Sequence, residues 1–405
     1  MTLTNAMDER DVKTIDQPMI LTGRRFEDGA VVRIQVADGK IQQVERLDSL
    51  DEPEGVERWI VPGFFDLQVN GFAGKSFVDP KVTVQDTQHV AQALLRTGVT
   101  RFLPTIITAD LDTMCHQLSA IADAIEQVPV VNAMCPGIHV EGPFIHPEDG
   151  PRGAHPFEHV RGPSILDYER LAKAARGKIA ILTLAPDQSG ALELIRHVSQ
   201  QGVLVGLGHH RADVAALNAA VQAGAKLSSH LGNATDAVLP RHNNYVWHQL
   251  GEDRLWASFI ADGHHLPPAT LRAMLRAKTI ARSLLVTDAI GAAGMPPGRY
   301  RLGNAEVERT PDGRVVLPGT PYLAGSAADM PLLIGRAVTD GGVSFVEAVK
   351  MASSQPALLM FPGAATWSCE PGQAANLVEL DWRPDEGQVE IRQSVAGRWS
   401  VQLKA

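Results

Sequence analysis

The chain has 405 residues, 44% of them hydrophobic and 20% charged, the balance of a soluble globular protein with room for one large domain and a smaller companion. A net charge of −9 with no basic run argues against nucleic acid as a partner, while leaving a local anion site open. No apolar stretch reaches the ~18 residues of a membrane-crossing helix, and Cys115, Cys135 and Cys369 lie far apart with no CxxC, as expected of core thiols in a reducing cytosol.

Residues 1–17, "MTLTNAMDERDVKTIDQ", are polar and acidic, with no basic and apolar succession of a signal peptide. From 19 to 58 the chain alternates apolar and polar residues, with turn signals at "EDG" and "ADG", which predicts short antiparallel strands. Then a rhythm begins. Apolar runs fall at 59–69, 99–107, 133–141, 179–185, 202–209, 225–231, 255–262 and 283–289. Between them, stretches such as 84–98, 190–202 and 213–225 have apolar residues at helical spacing and end in Gly. Strand and helix in alternation imply a parallel sheet, and eight repeats imply a closed (β/α)8 barrel, an open doubly wound sheet being the alternative. Residues 296–325 have hairpin chemistry and decorate the loop after the last run. Residues 373–402 return to short antiparallel strands, turning at "DEG". The expected fold is therefore α/β: a (β/α)8 barrel over 59–368 with a hairpin insertion near 296–325, and a small β-sandwich built from 1–58 and 369–405.

Active sites of such barrels lie at the carboxyl ends of the strands. The third run ends in Glu141, the fifth in His209, the sixth holds His230, and the eighth ends at Asp288 in "LLVTDA". Two imidazoles and a carboxylate suit a borderline divalent cation such as zinc, with a position left for water. Such a cation lowers the pKa of its water toward ~7, and Asp288 is placed to act as base on it, so the reaction class is metal-assisted hydrolysis. His139, two residues before Glu141, reads as a hydrogen-bonded residue deeper in the barrel.

The runs "VPGFFDLQVNGF" (61–72), "GIHVEGPFIHP" (137–147), "RGAHP" (152–156), "GLGHHRA" (206–212), "SHLGNA" (229–234), "IADGHHL" (260–266), "LVTDAIGAAG" (285–294) and "LAGS" (323–326) occur in this order. Together they resemble the N-acetylglucosamine-6-phosphate deacetylases of the amidohydrolase superfamily. The resemblance implies removal of acetate from N-acetylglucosamine 6-phosphate by a cytoplasmic, homodimeric, metal-dependent enzyme. It implies Glu141, His209 and His230 as ligands of one divalent metal, zinc first, with ferrous iron or another divalent cation as alternatives. Asp288 matches the general base and acid, and His155 the residue that polarises the acetyl carbonyl. Ala154, His155, Asn233, Ala234, Arg241, His265, Leu323, Ala324 and Gly325 match substrate contacts, with His265 preferred to its neighbour His264.

Two departures stand out. Many amidohydrolases carry His-x-His on the first strand, where this chain has Gln68-Val-Asn70, poor ligands that point to a single tight metal. The Arg-Glu-Pro-Gly that follows the second metal His in the family is reduced here to Arg241, followed by His242, Asn243 and Asn244. Arg241 is the expected phosphate ligand. Its altered setting keeps open an unphosphorylated or epimeric N-acetyl amino sugar, or an N-acyl-D-amino acid, as substrate.

Overall fold

The computed structural model describes residues 12–320, 322–363 and 368–403; most of the amino-terminal stretch read for a targeting signal lies outside them. All eight apolar runs form strands of one parallel sheet: β1 (Phe64–Val69), β2 (Val99–Ile107), β3 (Ile138–Glu141), β4 (Ile179–Leu184), β5 (Leu204–Leu207), β6 (Ala225–Ser228), β7 (Trp256–Phe259) and β8 (Ser283–Leu285). The strands pair in sequential order from β1 to β8. Closure comes just past the strand ends, where Val69 bridges Ala289, the Asn70 N–H donates to Ala289 O at 2.8 Å, and the Asp288 N–H donates to Gln68 O at 3.0 Å. The sheet is therefore a barrel, and the open doubly wound alternative falls away.

Two apolar layers hold it. Phe65, Leu67, Leu103, Ile181, Leu227, Trp256 and Leu284 fill the interior, and the helix Ser354–Met360 plugs one end through Leu359. Outside, the helices pack their apolar stripes on the strands. In α1 (Val84–Leu95) these are Val90, Leu94 and Leu95, and the helix starts in a capping box in which Thr83 and Asp86 satisfy each other's backbone N–H groups. The helix Val214–Ala223 starts at the Asp213 cap and stops at Gly224, whose φ of 125° and close approach to the Ser199 side chain leave no room for a Cβ.

Both chain ends contribute to a second, eight-stranded mixed sheet in which Asn376–Arg383 pairs with Glu57–Pro62 and Gln388–Ala396. The turns fall at the expected "EDG", "ADG" and "DEG", and Asp38 and Gly39 both take positive φ, as a two-residue hairpin turn requires. The edge strand Lys40–Arg46 curls back to residues 372–375, with the Ile41 N–H donating to Gln373 O at 2.9 Å. The sheet thus folds over its own core of Leu21, Ile34, Ile41, Ile60, Leu377 and Val395. After β8, Gly298–Leu302, Ala305–Arg309 and Val315–Val316 form a three-stranded antiparallel sheet. No described helix is long and apolar enough to cross a membrane.

Candidate active site

At the carboxyl end of the barrel lies a cavity of about 540 Å³, a size suited to a small molecule. Glu141, Ala154, His155, His209, His230, Asn233, Ala234, His265, Asp288, Leu323, Ala324 and Gly325 all line it. Glu141 is the last residue of β3, while His209, His230 and Asp288 sit two or three positions beyond the ends of β5, β6 and β8. All three adopt left-handed backbone, with φ of 55°, 31° and 50°. Such conformations cost non-glycine residues about 1–3 kcal/mol each and persist where the surroundings over-determine them, typically at functional sites.

Glu141 is the hub. His230 Nε2 lies 2.8 Å and His209 Nε2 3.3 Å from its Oε1, and Gln68 Nε2 donates to the same oxygen at 3.0 Å. Burial alone would raise the carboxyl pKa, but the facing imidazoles of His209 and His230 hold it well below the ordinary carboxylate range. His209 Nδ1 lies 2.9 Å from Pro151 O, an acceptor, so Nδ1 carries a proton and Nε2 is free to offer a lone pair. His230 Nδ1 is buried without a partner among the described residues, and its Nε2 faces the same carboxylate. This donor set fits a divalent cation. Glu141, His155 and His209 also offer ligand atoms within 4.8 Å of one another, which brings His155 to the same centre.

Asp288 sits half-buried beside this group. Its Oδ1 accepts from Asn70 Nδ2 at 2.7 Å and Gln68 Nε2 at 3.1 Å. Burial, then the nearby charge of Glu141, pushes its pKa up to about 6. The Gln-x-Asn pair of β1 therefore aims its amide N–H groups at the two carboxylates rather than supplying ligand oxygens, and Gln68 ties Glu141 to Asp288 directly. Asp66, on the same strand, accepts from Thr287 Oγ1 at 2.5 Å and from the Gln68 and Thr287 amides at 3.2 Å each. It clamps the β1–β8 seam that carries Gln68 and Asp288.

His265 Nδ1 lies 2.7 Å from Asp262 Oδ2, and Asp262 also accepts the His264 and His265 amides at 2.8 Å, so one buried carboxylate orients the ring. His264 instead turns its Nε2 to Asp312 O at 3.1 Å and does not line the cavity. His139 bonds Leu67 O and Thr183 Oγ1, both at 2.9 Å, in the barrel interior as expected. Asn233 donates its side-chain amide back to His230 O at 3.1 Å.

Arg241 is exposed and lies outside the cavity lining, three residues before Asn244, which caps the helix Tyr245–Gly251. Of the lining residues only Arg152 is an Arg or Lys. Its guanidinium is tied to Asp149, to Pro147 O at 3.1 Å and to His155 O at 2.7 Å, bracing the loop that carries His155. Arg152 stood in the quoted "RGAHP", and its charge was the available signal.

A closed (β/α)8 barrel with imidazoles and a carboxylate converging at its carboxyl rim agrees with the comparison of the whole chain, in which the amidohydrolase family matches residues 59–399. The chain belongs to the amidohydrolase family. Within it, the chain is 34% identical over 349 residues to N-acetylgalactosamine-6-phosphate deacetylase of Escherichia coli O157:H7, covering 86% of this chain and 90% of that one. It is 36% identical over 342 residues to N-acetylglucosamine-6-phosphate deacetylase of Homo sapiens, 80% of each chain. The crystal structure of N-acetyl-D-glucosamine-6-phosphate deacetylase from Mycobacterium smegmatis superposes with a TM-score of 0.82 at 26% identity, over 94% of this chain and 99% of that one. The resemblance drawn from the motifs holds.

Proposed function

We propose that the chain is a metal-dependent deacetylase that hydrolyses the acetamide of N-acetylglucosamine 6-phosphate to acetate and glucosamine 6-phosphate. The observation that carries this reading is the convergence of Glu141, His209, His230 and Asp288 in one cavity; the names of its relatives supply the substrate class. Glu141, His209 and His230 would hold the cation, and two imidazoles with one carboxylate suit zinc. A bound divalent cation supplies Lewis acidity and a nucleophilic water near neutral pH.

The chain's own residues do the rest. Asp288, fixed by Asn70 and Gln68, accepts a proton from the attacking water. The water oxygen adds to the acetyl carbon. Asp288 then returns the proton to the amide nitrogen as the C–N bond breaks, releasing acetate and the free amine. His155 is neutral, since burial and then the neighbouring His209 drive its pKa down to about 3, and it acts as a hydrogen-bond donor to the acetyl oxygen. Ala154, Asn233, Ala234, His265 and the 323–325 loop surround the sugar.

Only ionised Asp288 accepts a proton, and its pKa of about 6 puts the change in mild acid. A bound cation favours the anion further. kcat is therefore expected to fall as the pH drops from roughly 7 to 4; a flat profile across that range would remove Asp288 from the base role. The reading as a whole is tested by acetate release from a panel of N-acetylglucosamine 6-phosphate, its galactosamine epimer and an N-acyl-D-amino acid. Turnover of the amino acid alone would overturn it.

A further inference from the structure

We propose that Thr108 is a positioning residue for this reaction, locking the His155 ring with its proton on Nε2 so that the ring donates to the acetyl oxygen. The inference rests on the function proposed above. Thr108 directly follows β2 and is buried. Its Oγ1 lies 2.7 Å from His155 Nδ1, and its backbone N–H points at the same nitrogen at 3.4 Å. A backbone amide can only donate, so Nδ1 must be the bare nitrogen, and the hydroxyl donates to it as well. A neutral ring then has its proton on Nε2, the nitrogen away from Thr108.

The neighbouring ring is set the other way. His209, with centroids 4.4 Å from His155, gives its Nδ1 proton to Pro151 O and leaves Nε2 bare. Two adjacent imidazoles are thus held in opposite tautomers, one suited to a cation and the other to a developing oxyanion. This removes His155 from the ligand set although it lies within reach of Glu141 and His209. The strand end that delivers Glu141 also makes room for the hydroxyl. Gly142 has φ of 80°, and any side chain there would overlap Thr108 Oγ1.

The test pairs Thr108→Val, which keeps the shape and removes the hydroxyl, with Thr108→Ser, which keeps the hydroxyl. Thr108→Val is expected to lose roughly 10–100-fold in kcat, with KM changed less than about threefold and metal content as in wild type, while Thr108→Ser stays within about threefold of wild type. Nitrogen-15 spectra of histidine-labelled wild type should show His155 as the Nε2–H tautomer. A wild-type kcat in Thr108→Val, a loss of metal along with activity, or an Nδ1–H signature in wild type would each overturn the proposal, and the last needs no variant. Absence of any amino-sugar turnover by wild type would instead defeat the parent reading.

Discussion

Asp288→Asn is expected to lower kcat by roughly 10²–10⁴-fold while the protein keeps its metal and its fold, because base and acid functions are lost together. The substitution is nearly isosteric. The two donors that meet Asp288 Oδ1, from Asn70 and Gln68, still find an amide oxygen there. The backbone is equally unaffected, since the Asp288 N–H to Gln68 O bond that helps close the barrel belongs to the main chain. What disappears is an anion whose pKa, raised to about 6 by burial and by Glu141, suits it to take a proton near neutral pH and give it back. Metal analysis alongside steady-state kinetics checks this. Turnover near that of wild type would exclude Asp288 from the chemistry, and loss of metal would make it a ligand.

The second large effect is expected at Glu141. Its Oε1 is the point on which His209, His230 and Gln68 all converge, and it is the only carboxylate of the assigned ligand set. Glu141→Ala leaves two buried imidazoles with no anion between them, so metal affinity should fall roughly 10²-fold or more, with acetate release at background. Metal quantification after dialysis measures it. Full occupancy in the variant would mean that the ligand set is wrong. Gln68, which donates to both Glu141 and Asp288, would lose one of its two acceptors but remain held by the other, so the variant should still fold.

Much of this was legible in the amino-acid order because burial leaves a plain signature. A strand of a parallel barrel is covered on both faces, so each of the eight reads as a near-continuous apolar run, and a polar residue at its carboxyl end stands out. Glu141, His209, His230 and Asp288 were found that way. The hairpin turns were equally readable, since "ADG" places residues that tolerate positive φ where both must adopt it.

What was not legible depends on geometry at the ends of strands. Periodicity cannot show that His209, His230 and Asp288 all take left-handed backbone, since none is the Gly that most often marks it. The ladder between β1 and β2 shifts register between Asp66 and Val69. No alternation pattern therefore predicted that Gln68 and Asn70 would face the carboxylates, or that Asp66 would lie across the seam to Thr287. Arg241 was placed by motif spacing alone, and spacing carries no information on which way a loop side chain faces. Thr108 and Arg152 act through Nδ1 and the backbone carbonyl of His155, contacts between residues 47 and 3 positions apart that only the folded loop brings together.

The most direct test of the account is acetate release by protein reloaded with zinc after chelator treatment, comparing kcat/KM for N-acetylglucosamine 6-phosphate and for N-acetylglucosamine. Activity is expected to vanish with the chelator, to return with the metal, and to favour the phosphorylated sugar by at least about tenfold. Deacetylation that survives metal removal, or no acetate from the phosphorylated sugar under any metal loading, would contradict it.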